Sequence, residues 1–372
     1  MKITFILKNS ANIRGGVRVI AIYAKYLQKR GHQVFIASLP QAHPTLGQQL
    51  RSLIKGKILT PPKNNSSSYF NDLGVIVHTI ESQRPIVDSD LPDGDVVIAT
   101  WWETAEWVEK LSQKKGTKIY FIQHHELHDY LPINRVKATY LLPLHKIVIA
   151  QWLKDLMFSD YGDEQVSLVA NSVDMKQFNA PPRSKQSIPT VGLMYSSLDW
   201  KGCDISLKAF TLAQKTIPQL HLIAFGQKDI SPNLPLPYGT KYIQQPSQET
   251  IKDIYASCDA WLFSSRLEGF GLPILEAMAC RTPVIGTPAG AALELIAKGG
   301  GILVKPEDPE DMARAIIDII NLSNQQWQVV SDAAYTTATS YTWEDATTLF
   351  EAALYTAIER TKNGELGETK IR

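Results

Sequence analysis

The stretch Ser264-Ser265-Arg266-Leu267-Glu268-Gly269-Phe270-Gly271-Leu272-Pro273-Ile274-Leu275-Glu276 decides the fold of this chain. Just before it, Ala260 to Phe263 is an apolar run suited to a buried strand. Pro273 fits the first turn of a helix, where its missing N–H costs nothing, and the apolar spacing carries that helix to about Cys280. A strand, a polar glycine-bearing turn and a helix in succession form the unit from which open parallel α/β sheets are built. At the C-terminal edge of such a strand, unpaired N–H groups and the positive end of the helix dipole suit a phosphate. Gly269 and Gly271 carry no Cβ to hold a ligand away from the backbone. Glu268 and Glu276, with seven residues between them, would repel the phosphate but accept hydrogen bonds from sugar hydroxyls and a ribose. The same residues also read as a plain glycine turn whose glutamates complement the dipole.

This stretch resembles the E-x7-E signature of retaining, nucleotide-sugar-dependent glycosyltransferases of family four. That family has the GT-B fold, two Rossmann-like doubly wound α/β domains facing a central cleft. The resemblance implies that Glu268 touches the donor sugar and Glu276 the nucleotide ribose. The N–H groups of Gly269, Phe270, Gly271 and Leu272 would then hold the diphosphate.

The whole-chain figures are compatible with that expectation. At 372 residues the chain is long for one core, so two domains are expected. A net charge of +1 gives no support to bulk nucleic-acid binding. Cys203, Cys258 and Cys280 are widely spaced with no C-x-x-C, which argues against a disulfide framework or a zinc site and fits a reducing cytoplasm. Met1 to Leu7, stopped by Lys8, is too short for a secretory segment, and no apolar run reaches the roughly 18 residues of a membrane span.

From the N-terminus, Ile3–Leu7, the helical spacing of Val17–Arg30 and Val34–Ala37 make a β-α-β unit. Gly15-Gly16 sits at the helix start without the G-x-G-x-x-G spacing of a dinucleotide site, which disfavours a nicotinamide oxidoreductase. The pair is either a plain turn or, by the resemblance, a contact to the donor diphosphate. Between Leu39 and Asn71 the pattern dissolves. Within it, residues 46–63 interleave Leu50, Leu53, Ile54 and Ile58 with Arg51, Lys55, Lys57 and Lys63, which reads as a solvated loop or as a surface helix meeting anionic lipid. Strands are expected at Gly74–Val77, Val96–Thr100 and Lys118–Ile122. Trp101 and Trp102 end the second of these, either as core caps or as an acceptor-side platform for a sugar ring, with His125 nearby. The run Gln123-His124-His125-Glu126 lacks the cysteines and the spacing of a tetrahedral metal site. The resemblance places a donor-contacting histidine here, with His124 the best match and Gln123 and His125 the register alternatives.

Further on, Asn171-Ser172-Val173-Asp174 and Phe178 resemble the turn that closes the family's first domain, with Ser172 where glycine is usual. Ala180–Pro189 has linker composition. Domains are therefore expected at 1–180, with a returning helix at about 344–372, and at 181–343. Thr190–Tyr195 leads to Lys201-Gly202, where the family pattern is an arginine followed by lysine-glycine that neutralises the leaving diphosphate. Lys201 matches the lysine, though it also reads as an ordinary loop lysine, while the arginine position falls at Ser196; Arg266 or Arg14 is the candidate replacement. The family tends to have glycine where Arg281 stands.

The resemblance implies transfer of a hexose, with retention and no obligatory metal or cofactor, from a nucleoside diphosphate sugar to a hydroxyl of a saccharide or lipid-linked saccharide. A UDP-sugar is favoured and a GDP-sugar next. Catalytic roles fall to His124, Lys201 and Glu268, and donor binding to Gly15, Gly16, Lys201, Arg266 and the stretch from Glu268 to Glu276. The expected place is the cytoplasm or the inner face of its membrane. Alternatives are a nucleotide-sugar epimerase of the same fold and a catalytically degenerate nucleotide-binding scaffold.

Overall fold

A computed structural model of the chain describes residues 1–9, 15–40 and 69–366, apart from the side chains of Tyr69 and Asp72. Segment 46–63 and Arg14, both singled out above, lie outside the described residues. The chain divides into two compact units: Met1–Val148, Lys154–Val169 and Thr347–Arg372 form the first, Ile149–Leu153 and Ala170–Ala346 the second. Residue 180, where sequence reading puts the break, lies within the second unit, where Ser172 and Ala180 itself are both bonded to residues of that unit. Ser172 Oγ donates to the Tyr341 carbonyl at 2.7 Å, and Arg281 Nε donates to the Ala180 carbonyl at 3.1 Å.

In the first unit the order is β1 (Lys2–Leu7), α1 (Gly15–Lys29), β2 (Gln33–Ser38), α2 (Tyr69–Asp72), β3 (Val77–Thr79), β4 (Val96–Ala99), α3 (Trp102–Lys110), β5 (Thr117–Ile122), α4 (Ile133–Thr139), β6 (His145–Val148), α5 (Gln151–Tyr161) and β7 (Ser167–Leu168). The strands form a parallel sheet in the order β3-β2-β1-β4-β5-β6-β7. Central β4 is buried throughout, as a parallel strand covered on both faces must be. The strand expected at Gly74–Val77 starts later, at Val77. Gly74 is left-handed at φ 68° in the turn after α2, and Val75 N–H is tied back to the Phe70 carbonyl.

The second unit runs β8 (Thr190–Met194), α6 (Cys203–Thr216), β9 (His221–Gly226), β10 (Lys241–Gln244), α7 (Gln248–Ala256), β11 (Ala260–Phe263), α8 (Leu272–Ala279), β12 (Val284–Gly286), α9 (Ala292–Ile296), β13 (Gly301–Leu303), α10 (Pro309–Asn321) and α11 (Asn324–Thr339). Its sheet, also parallel, has the order β10-β9-β8-β11-β12-β13. The expected pair of doubly wound α/β domains is therefore present. Helix α12 (Trp343–Lys362) then passes from the second unit into the first, where Phe350 stacks on Tyr23 at 4.3 Å and meets Phe121 edge-on at 5.2 Å. No helix among the described residues is long and apolar enough to cross a membrane.

Candidate functional site

In the second sheet the chain leaves β8 for β9 on one side and returns to place β11 on the other, so the order reverses between β8 and β11. Loops at the C-terminal ends of two such strands diverge and leave room for a ligand. Here the two loops are stitched together at their base. Gly202 caps α6 in the left-handed region at φ 57°, and a Cβ there would lie 1.8 Å from the Ser264 carbonyl oxygen. Ser264 Oγ donates to the Gly202 carbonyl at 2.6 Å, and the N–H groups of Arg266 and Leu267 donate to the Trp200 carbonyl at 2.9 and 3.2 Å. This close approach brings Lys201, from the 3-10 turn Asp199–Lys201, onto Glu268: Nζ forms an ion pair with Oε1, to which Ser265 Oγ also donates at 3.1 Å. The two charged residues predicted from separate parts of the sequence thus line one cavity with Ser264, Ser265 and Pro273.

The turn after Glu268 is tightly made. Gly269 and Phe270 are buried, and Gly271 caps α8 at φ 94°, where a Cβ would press on the Phe263 ring at 3.0 Å. In the first turn of α8, Pro273 has no N–H and Ile274 N–H donates to the Gly271 carbonyl at 2.9 Å, so it is Leu272 N–H that stands at the positive end of the helix dipole with no acceptor among the described residues. Glu276, one turn further on, accepts from the Tyr255 hydroxyl at 3.0 Å. Tyr255 has no mark in the sequence beyond a buried position in α7.

Arg266 departs from its expected role. Its guanidinium donates to both oxygens of Asp204, at 2.9 and 3.1 Å, to Glu307 Oε2 at 2.9 Å and to the Asp199 carbonyl at 2.6 Å. These bonds to Asp204 and Glu307 raise its already high pKa. The side chain that sequence reading offered as a replacement diphosphate cation is therefore committed to joining the β11–α8 loop, the start of α6 and the loop before α10. Ser196 accepts from Leu198 N–H at 3.3 Å. Asp204 and Glu307 were not singled out in the sequence, because acidic residues near helix starts are common and only the fold brings them to one arginine.

In the first unit, Gly15 opens α1, and the Gly16 carbonyl accepts from Gln123 Nε2 at 3.1 Å. The three register alternatives are thereby distinguished in their surroundings. Gln123 is engaged with Gly16, whereas His125 is half-buried against Tyr140 and hydrogen-bonded to the Tyr161 hydroxyl at 2.8 Å. Burial, and then neighbouring His124, push the His125 pKa down to about 4, so its ring is neutral at pH 7. His124 Nδ1 donates to the His125 carbonyl at 2.8 Å. Trp102 cannot serve as a platform in this structure, because only 3% of it is exposed and Arg135 lies over its ring at 5.0 Å. Its N–H, at the start of α3, donates to Glu126 Oε2 at 3.0 Å, a buried carboxyl whose pKa burial raises well above the ordinary value. Trp101 keeps partial exposure. Among the described residues no cluster of His, Cys, Asp or Glu could hold a metal ion.

A family comparison covers the unit built around Lys201, Glu268 and Glu276. Residues 176–335 match the family of glycosyl transferases group 1. This group 1 segment includes Lys201, Glu268 and Glu276. Two curated glycosyltransferases are similar to the chain. The O-antigen chain mannosyltransferase RfbU of Salmonella typhimurium is 23% identical over 69% of this chain and 80% of its own length. The O-antigen chain mannosyltransferase B of Escherichia coli is 29% identical, but the match spans only 29% of this chain and 28% of that protein. Among solved structures, HepE of Anabaena, crystallised with UDP and glucose, superposes with a TM-score of 0.70 at 18% identity, over 96% of this chain and 99% of that one. The shared fold is GT-B.

Proposed function

We propose that this protein transfers a hexosyl group from a nucleoside diphosphate sugar to a hydroxyl of a saccharide or lipid-linked saccharide, with retention and without a required metal. The observation that carries this reading is the convergence of Lys201 and Glu268 on one cavity at the sheet's switch point, beside the N-terminus of α8 that bears Glu276. A cation and the N–H groups of the turn from Phe270 to Leu272 suit the diphosphate, whose negative charge grows as it leaves; preorganised donors of this kind are commonly the largest catalytic contribution. Glu268 accepts from a sugar hydroxyl and Glu276 from the ribose. In the free protein Lys201 neutralises Glu268, so a bound donor would exchange this contact for one to phosphate. The nearby UDP and glucose of HepE favour a UDP-sugar over a GDP-sugar. His124, Gly15 and Gly16 take donor roles in the first unit on the strength of the family resemblance, and Trp101, a part-exposed aromatic just after β4, takes an acceptor-side role.

The test is a thermal-shift panel of nucleoside diphosphates and their sugars on wild type and Glu276→Ala. A ligand that binds only the folded state at about 100 times its Kd adds about 2.7 kcal/mol. UDP is expected to raise the melting temperature of wild type and to lose that effect in the variant. If no nucleoside diphosphate shifts wild type, the donor site is not where it is placed here.

A further inference from the structure

Segment Ile149–Leu153, between β6 and the body of α5, packs with the second unit although the strands on either side belong to the first. From it the Trp152 indole Nε1 donates to the Gly269 carbonyl at 2.9 Å. One residue on, the Phe270 carbonyl accepts from Ala291 N–H at 2.8 Å. In a planar trans peptide the C=O and the following N–H point in opposite directions. Holding the Gly269 oxygen therefore aims the Phe270 N–H away from Trp152, and holding the Phe270 oxygen aims the Gly271 N–H away from Ala291. Among the described residues, no protein group accepts from either of these two amides. Gly269 has no side chain of its own to restrain the peptide, so on the glycine side it is the indole that holds this plane.

We propose that Trp152 is a positioning residue for the donor site: through the Gly269 carbonyl it fixes the direction of the Phe270 N–H, which donates to an oxygen of the nucleotide sugar. This rests on the reading of residues 264–276 as the donor site. The oxygen belongs either to the diphosphate or to the sugar. Both are acceptors, and the choice of probe separates them. Trp152 had no motif to mark it in the sequence, because its partner is a backbone atom more than a hundred positions away.

Trp152→Phe removes the N–H and keeps most of the ring. Binding of UDP, UDP-glucose and uridine to wild type and variant is measured by calorimetry, beside the melting temperature of each free protein. The expected result is a roughly three- to tenfold weaker affinity for UDP-glucose, with uridine binding and melting temperature unmoved. An equal loss for UDP assigns the oxygen to the diphosphate, and a loss confined to UDP-glucose assigns it to the sugar. Trp152→His, which keeps a ring N–H, is expected to fall between the two and gives a second reading where the phenylalanine variant folds poorly. Unchanged affinities, or a parallel loss for uridine, would overturn the inference. Wild type that binds none of the three overturns the donor-site reading itself.

Discussion

Gly202 and Arg266 show how single residues hold the candidate site together. Gly202 carries both a left-handed backbone and the closest approach to Ser264, so Gly202→Ala must move the loop that presents Lys201. A loss of about 3 kcal/mol or more is expected, read as a fall in the urea midpoint. Arg266 makes a different prediction. Its planar fork reaches Asp204 and Glu307 at once, which a lysine ammonium cannot do with the same geometry. In Arg266→Lys the charge remains but the clamp is lost, so kcat/KM for transfer is expected to fall about tenfold, or about 1.4 kcal/mol. Activity equal to wild type would show that the loops need no such clamp. The fork was illegible in the sequence because its two carboxylates are distant in the chain.

At the scale of elements, the end of α8 gives meaning to a residue that looked arbitrary. Arg281 stands where the resembling family has glycine, and its φ is 60°. Its N–H donates to the Met278 carbonyl at 2.9 Å, and Thr282 N–H donates to the Ala277 carbonyl at 3.0 Å, the paired bonds of a left-handed helix C-cap. Glycine suits that conformation. Arginine tolerates it while pairing with Asp332 and stacking over Tyr335 at 4.1 Å. Arg281→Gly is therefore expected to be more stable than Arg281→Ala by about 1 kcal/mol, since both lose the contacts and only alanine keeps the strain. Calorimetric melting of the two variants checks the order.

Helix α11 is hard to read in the sequence, for its threonines and glutamines give little apolar rhythm, although Ser323 and Gln326 do form the reciprocal cap that marks a helix start. Helix α12 was expected to return to the first domain, and Phe350 anchors it there against Tyr23, Phe121 and Phe5. Phe350→Ala is expected to cost about 3–5 kcal/mol in chemical unfolding.

Across the whole molecule, two histidines held neutral contribute to the acid limb of stability. Burial, followed by the Arg360 cation, pushes His145 down to about 4; Arg360 Nη1 donates to its Nδ1 at 2.9 Å, and its Nε2 pairs with Ser167 Oγ at 2.9 Å. His125 lies at about 4 as well. A folded pKa below the ordinary value of about 6.5 means that the unfolded chain binds the proton first. The stabilisation from each is thus complete above about pH 6.5 and is lost as the pH falls towards 4. Replacing His145 by glutamine should flatten the pH dependence of the unfolding free energy between pH 7 and 4.5. Parallel curves for the two proteins would show that His145 titrates normally in the fold.

The sequence by itself determined the two parallel α/β domains, because apolar strands and glycine-punctuated helices are local patterns read over short windows. It also marked Glu268 and Glu276 as site candidates, since a turn motif keeps its ligand groups close in the chain, while Lys201 was marked by the family resemblance alone. Only the tertiary structure decided that Arg266 is occupied by Asp204 and Glu307, that Trp102 is buried, that Trp152 holds the glycine turn and that Arg281 is left-handed. Most of these depend on which distant groups the sheet order brings within hydrogen-bonding distance, and the left-handed cap on the φ its own helix end adopts. Such contacts act over about 3 Å in space and have no fixed spacing along the chain.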